Sequence, residues 1–138
     1  MQKRHRIIID TNLWINFLLS KQFVFLDILL NKKKVVLLFS DELLNELLDV
    51  VHRPKLHKYF STQDIENTLE IINRHAEYIK VTSHVNNCRD EKDNFLLALA
   101  KDGSADFLLT GDKDLLILKR FDSAEIITIA EYKVLQQL

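Results

Sequence analysis

Four acidic residues stand where an alternating strand and helix pattern would bring them together. Asp10 closes the apolar part of "RIIIDTNLWI" (residues 6–15), where three isoleucines stop at a carboxylate followed by a hydroxyl and an amide. Glu46 stands six residues after Ser40 in "SDELLNELLDVV", Asp93 lies in "CRDEKDNFLLALA", and Asp112 comes two residues after Thr110, the last residue of "DFLLT". Carboxylates gathered at one edge repel, and burial protonates some of them unless a cation is present. Oxygen-only donors suit Mg²⁺ or Mn²⁺ rather than zinc, and such a centre activates water and neutralises charge on a phosphodiester. The chemistry implied is metal-assisted hydrolysis at phosphate.

The elements that must position these acids follow from hydrophobic periodicity. The β-branched run at 6–10 reads as a strand buried on both faces, and in open parallel sheets ligands bind at the carboxyl ends of such strands. Helical pattern follows over 13–31, then a second strand in "KVVLLF". Ser40 is a plausible N-cap for the next helix, with Asp41 and Glu42 in its first turn, and that helix should stop near Arg53-Pro54. A long amphipathic helix from Ser61 leads to a strand "IKVTS" and a polar loop; then come a helix "NFLLALAKD", the strand "DFLLT", a helix "GDKDLLILKRF", a last strand "AEIITI" and a C-terminal helix. This alternation predicts an α/β fold of three layers, α/β/α, with a mostly parallel central sheet.

Each acid also has a structural explanation. Asp10 could simply cap the helix that follows it. Glu46 borders the apolar arc of Leu43, Leu47, Leu48, Val50 and Val51, where a surface glutamate commonly snorkels. Asp93 could be the N3 partner of an N-capping Asp90, although its helix is apolar almost all round and turns the carboxylate inward. Asp112 and Asp114 could serve a helix N-terminus.

Composition narrows the class. A chain of 138 residues with 47% apolar content is long enough for one core, and 2 Gly with 1 Pro leave no linker, so residues 1–138 are expected to form a single domain. The longest uncharged apolar stretches are too short to span a bilayer and the N-terminus lacks signal-peptide character, which predicts a soluble, cytoplasmic protein without a membrane partner. The lone Cys88 offers neither an internal disulfide nor zinc-finger spacing. A net charge of −1 excludes a globally basic nucleic-acid coat. Any polyanion must be held locally, by "KKK" at 32–34, "HRPKLHK" at 52–58 or "KR" at 119–120, each of which also reads as a solvated turn.

The segments "IIIDTNLWI", "SDELLNELLDVVHRPKL", "CRDEKDNFLLALA" and "DFLLTGDKDLL", in this order and spacing, resemble a PIN-domain nuclease, and more narrowly the single-domain toxins of toxin–antitoxin pairs. The resemblance runs from about Arg6 to Ile129. It implies a catalytic and metal-binding quartet of Asp10, Glu46, Asp93 and Asp112, with Asp90 and Asp114 as acids beside it. It also implies Mg²⁺- or Mn²⁺-dependent cleavage of single-stranded RNA. Asn12 and Thr110 are then expected next to substrate, with Arg53 and Lys55 supplying positive charge for it. The implied partners are RNA, an antitoxin protein, and a second copy of the chain in a homodimer or higher homo-oligomer.

Other classes fit less well. A haloacid-dehalogenase-type phosphatase needs a second Asp two residues after the first, and position 12 is Asn. Phosphate-loop and dinucleotide folds need glycines that the strand-to-helix turns lack. The remaining alternative is a PIN-like module that binds RNA or protein without cleaving, and the complete quartet argues against it.

Overall fold

A computed structural model describes residues 4–20, 26, 28, 30 and 35–136. Among them six strands form one sheet: β1 (His5–Ile9), β2 (Val35–Phe39), β3 (Ala76–Tyr78), β4 (Phe107–Leu109), β5 (Arg120–Phe121) and β6 (Ala124–Ile127). Their order is β3-β2-β1-β4-β6-β5, parallel throughout except where β5 meets β6. The helices are α1 (Thr11–Ser20), α2 (Asp41–Val51), α3 (Pro54–His57), α4 (Thr62–His75), α5 (Asn94–Asp102), α6 (Lys113–Leu116) and α7 (Ile129–Gln136). The architecture is the expected three-layer α/β/α with a mostly parallel sheet. No helix of the described residues is long and apolar enough to cross a membrane.

The chain starts in the middle of the sheet. From β1 it moves outward through β2 to β3, then returns to place β4 on the other side of β1. Strand order therefore reverses between β1 and β4, and such a switch point opens a crevice outside the carboxyl ends of the two strands. Ile9 pairs with Leu109 in the register of that junction, and the Asp10 N–H donates to the Leu109 carbonyl at 3.0 Å. Asp10 and Thr110 thus leave the sheet side by side.

Local chemistry accounts for the elements around this crevice. Ile7, Ile8 and Ile9 are all buried, as a strand covered on both faces requires. The Ser40 hydroxyl caps α2 by accepting from the Leu43 N–H at 3.2 Å, and Leu43, Leu47 and Val51 carry that helix into the core. The helix stops at Val51, ahead of Pro54. Ser61 and Asp64 form a reciprocal capping box at the start of α4. Leu96 to Ala100 of α5 are buried without interruption. Trp14 of α1 is buried against Phe17 and Phe39, its backbone N–H bonded to the Asp10 carbonyl at 3.2 Å.

Two expected boundaries differ. The third strand is Ala76–Tyr78, not 79–83, so α4 ends at His75, four residues early. The backbone N–H groups of Thr82 and Ser83 instead donate to the Asp102 carboxylate, at 2.7 and 2.9 Å, which takes them out of strand pairing. The helix expected over 111–121 ends at Leu116; Lys119 takes a positive φ of 62° and the chain enters a hairpin of β5 and β6. Of the expected helix over 13–31, residues 11–20 form α1, Leu26, Ile28 and Leu30 are helical, and the rest lies outside the described residues, as do residues 32–34.

Gly103 ends α5 where there is no room for a side chain. A Cβ there would meet Leu38 Cδ1 at 2.9 Å and the Leu99 carbonyl oxygen at 3.0 Å. One of these atoms is backbone and the other belongs to a buried strand residue, so neither yields easily. Gly103→Ala is expected to destabilise the protein by about 1–3 kcal/mol, read as an earlier urea midpoint at unchanged slope.

Candidate active site

At the switch point the first acid is held from several sides. Asp10 is only 6% exposed. Its Oδ2 accepts from the Thr110 hydroxyl at 2.7 Å, and its carboxylate also takes the backbone N–H groups of Asn12 and Thr11 at the start of α1. Asp10 is thus a helix cap and a site residue at once. Burial raises its pKa, with the charge of Asp112 adding to that, and the Thr110 and backbone donors pull the other way without cancelling it.

Thr110 joins the first acid to the fourth. Its oxygen accepts from the Asp112 N–H at 3.0 Å while its hydroxyl donates to Asp10. Asp112 in turn caps α6 by accepting from the Asp114 N–H at 2.8 Å. Thr110 is fully buried, and both sides of its hydroxyl are committed to setting the two acids.

Asp93 arrives from the other direction, at the junction of a single 3-10 turn (Glu91–Asp93) with α5. Asp90 caps that turn through the Lys92 N–H at 3.1 Å, leaving Asp93 free of capping duty. The approach loop is pinned behind it, the Cys88 N–H donating to Asn94 Oδ1 at 2.8 Å. The Asp93 carboxyl lies within hydrogen-bonding reach of the Asp112 carboxyl. Its Oδ2 is buried and finds no donor. Burial, then Asp112, then the charges of Asp10 and Asp90 push its pKa up to about 7.

Glu46 completes the set through α1. Its Oε2 accepts from the Thr11 hydroxyl at 2.7 Å, so the residue after Asp10 holds the acid of α2. The structure therefore links Asp10, Thr110, Asp112 and Asp93 in sequence and attaches Glu46 at Thr11. Asn12 is exposed beside Asp10. Asp114 lies at the margin, 3.7 Å from the exposed Arg89. Arg53 and Lys55 are exposed and stand apart from this network, seven and nine residues beyond Glu46, Arg53 with its guanidinium 3.4 Å from Asp49.

A family model for the PIN domain matches residues 6–114, which includes all four acids and the switch point between them. The chain belongs to the PIN-domain family. PIN domains are typically metal-dependent nucleases, and divalent ions are their usual cofactors. Comparison with the curated proteins and with the solved structures gave no match.

The acids of this PIN domain fit such an ion. Among the described residues no group of three or more His, Cys, Asp or Glu side chains is placed to hold a metal ion together. The fit does not turn on a cage, because Mg²⁺ takes one or two carboxylates and keeps several waters. It turns on Asp93, whose buried Oδ2 lacks a donor and whose neighbour is another carboxyl. A divalent cation held by Asp93 and Asp112 would relieve both defects.

One contributor was invisible in the sequence. Thr11 was noticeable only as a hydroxyl after Asp10, and its bond to Glu46 depends on how α1 packs against α2.

Proposed function

We propose that this PIN domain is a Mg²⁺- or Mn²⁺-dependent endoribonuclease that hydrolyses phosphodiester bonds in single-stranded RNA, and that it is the toxin of a toxin–antitoxin pair acting in the cytoplasm as a homodimer or higher homo-oligomer. The observation that carries the nuclease reading is the buried, donor-less Oδ2 of the half-buried Asp93, whose carboxyl faces Asp112 at the switch point of the sheet. Asp10, Asp93, Glu46 and Asp112 are the residues that hold the cation. When bound, the ion supplies charge neutralisation at the scissile phosphate and lowers the pKa of water to give a nucleophile near neutral pH.

The remaining roles belong to the chain itself. Thr110 and the N–H groups opening α1 fix the orientation of Asp10, and Thr11 fixes Glu46. The exposed side-chain amide of Asn12 stands where it can hydrogen-bond the substrate beside Asp10, and Arg53 with Lys55 supplies positive charge along the path away from the acids. The toxin role rests on the resemblance of the four motifs to single-domain toxins, and it implies an antitoxin protein as partner.

Purified protein incubated with mixed cellular RNA and Mn²⁺ should yield new internal ends, which vanish when a chelator replaces the metal. Intact RNA in both arms, with Mn²⁺ still bound, would replace the nuclease with a binding module. For the toxin role, induced expression should arrest growth, with rescue by a small adjacent gene.

A further inference from the structure

The turn that follows α2 has its own chemistry. Between Asp49 and Asp64 the chain carries no acid, yet this stretch, "VVHRPKLHKYFSTQ", holds Arg53, Lys55 and Lys58 together with His52 and His57. In a chain of net charge −1 this is a marked local separation of charge. Arg53 follows the end of α2 at Val51 and, with extended backbone, leads into α3.

The segment is ordered as a tight turn. Val51 and Phe60 are buried at its two ends. The Arg53 N–H donates to Val50, the Tyr59 N–H to Leu56 and the Phe60 N–H to His57, at 3.1, 2.9 and 3.3 Å. Between these anchors the basic side chains are exposed, and so is Tyr59, at 57%, with the Lys58 ammonium 5.1 Å from its ring centroid. Arg53 is partly neutralised by Asp49, whereas Lys55 and Lys58 form no ion pair among the described residues.

An exposed aromatic ring on a fixed turn among cations suits an unpaired base. Every base has a π-face, stacking is tolerant of sequence, and the neighbouring cations take the phosphates. A duplex hides those faces. We propose that residues 52–59 form a docking platform for single-stranded RNA, in which Tyr59 stacks on an unpaired base and Lys55 and Lys58 neutralise flanking phosphates. This rests on the ribonuclease reading and adds to it a selection for single strands at a distance from the scissile bond.

The test is fluorescence anisotropy with the full chain in chelator, so that no cleavage intervenes. The probe is a labelled RNA of about a dozen nucleotides, single-stranded or annealed to its complement. Tyr59→Ala should weaken single-strand binding by about tenfold, the fold-change of one stacked base. Tyr59→Phe should bind like the parent, and duplex binding should not change. Lys55→Gln and Lys58→Gln should each reduce the slope of log affinity against log salt by about 0.7. With metal restored, Tyr59→Ala should raise KM and leave kcat in place. A Tyr59→Ala protein that binds single-stranded RNA as tightly as the parent, or loses duplex affinity equally, overturns the platform. If that parent still cuts RNA, the ribonuclease reading survives; a parent that neither binds nor cuts RNA overturns both.

Discussion

Replacing Asp93 by Asn is expected to lower the rate of RNA cleavage by about a thousandfold while making the metal-free protein more stable above neutral pH. The loss follows from removing a charged donor to the cation, whose transition-state stabilisation amounts to several kcal/mol at 1.36 kcal/mol per decade. The gain follows from linkage. Asp93 has a native pKa of about 7 against an ordinary 3.8. Between those values the folded chain keeps a proton that the unfolded chain has released. Stability therefore falls as pH rises through this window, and little of it remains to be lost above pH 7. The melting temperature of metal-free wild type should drop between about pH 4 and pH 7, more steeply than that of Asp93→Asn, and Mg²⁺ should reverse the drop in wild type alone. Parallel pH profiles for the two proteins, or a variant that cuts RNA at the parent rate, would remove Asp93 from the centre of the site.

Thr110→Val should act on the same site without touching its charge. The substitution removes the hydroxyl that donates to Asp10 and accepts from the Asp112 N–H, at a position with no exposure to water. Taking one donor from buried Asp10 and the acceptor from the Asp112 N–H should destabilise the fold by about 1–3 kcal/mol. Freeing the two acids to turn should weaken Mn²⁺ binding about tenfold to a hundredfold, as loss of an orienting hydrogen bond does around bound metals. Calorimetric titration with Mn²⁺ measures the second effect and urea denaturation the first. Thr110→Ser restores both bonds and should recover the metal affinity; if Val binds Mn²⁺ as well as Thr does, the hydroxyl does not position the acids.

The legible parts of this molecule are those in which one short segment decides the outcome. The isoleucine run at 7–9 could be little other than a buried strand, and Ser40 with two acids behind it marks the start of α2. The acids could be placed at one edge because strand ends and helix starts meet there in any parallel α/β sheet. What the sequence hid depends on partners far along the chain. Residues 79–83 alternate like a strand, but Asp102, about twenty residues later, captures the N–H groups that pairing would need. The run after Asp112 has helical periodicity, but the pairing of Arg120 with Glu125 and of Phe121 with Ala124 turns it into a hairpin. The burial of Thr110 likewise follows from its place between β1 and β6: its N–H is given to Ile127, one strand over.

The place of Trp14 has an experimental consequence. It is the sole tryptophan of the chain, its ring enclosed by Phe17 and Phe39, and it sits one helical turn from Asp10, to whose carbonyl its backbone is bonded. The intrinsic tryptophan emission of the protein therefore comes from a single indole anchored to the first acid. Any shift of Asp10 on taking up an ion is transmitted to that fluorophore, so cation loading carries an optical signature of its own, readable without label, substrate or turnover.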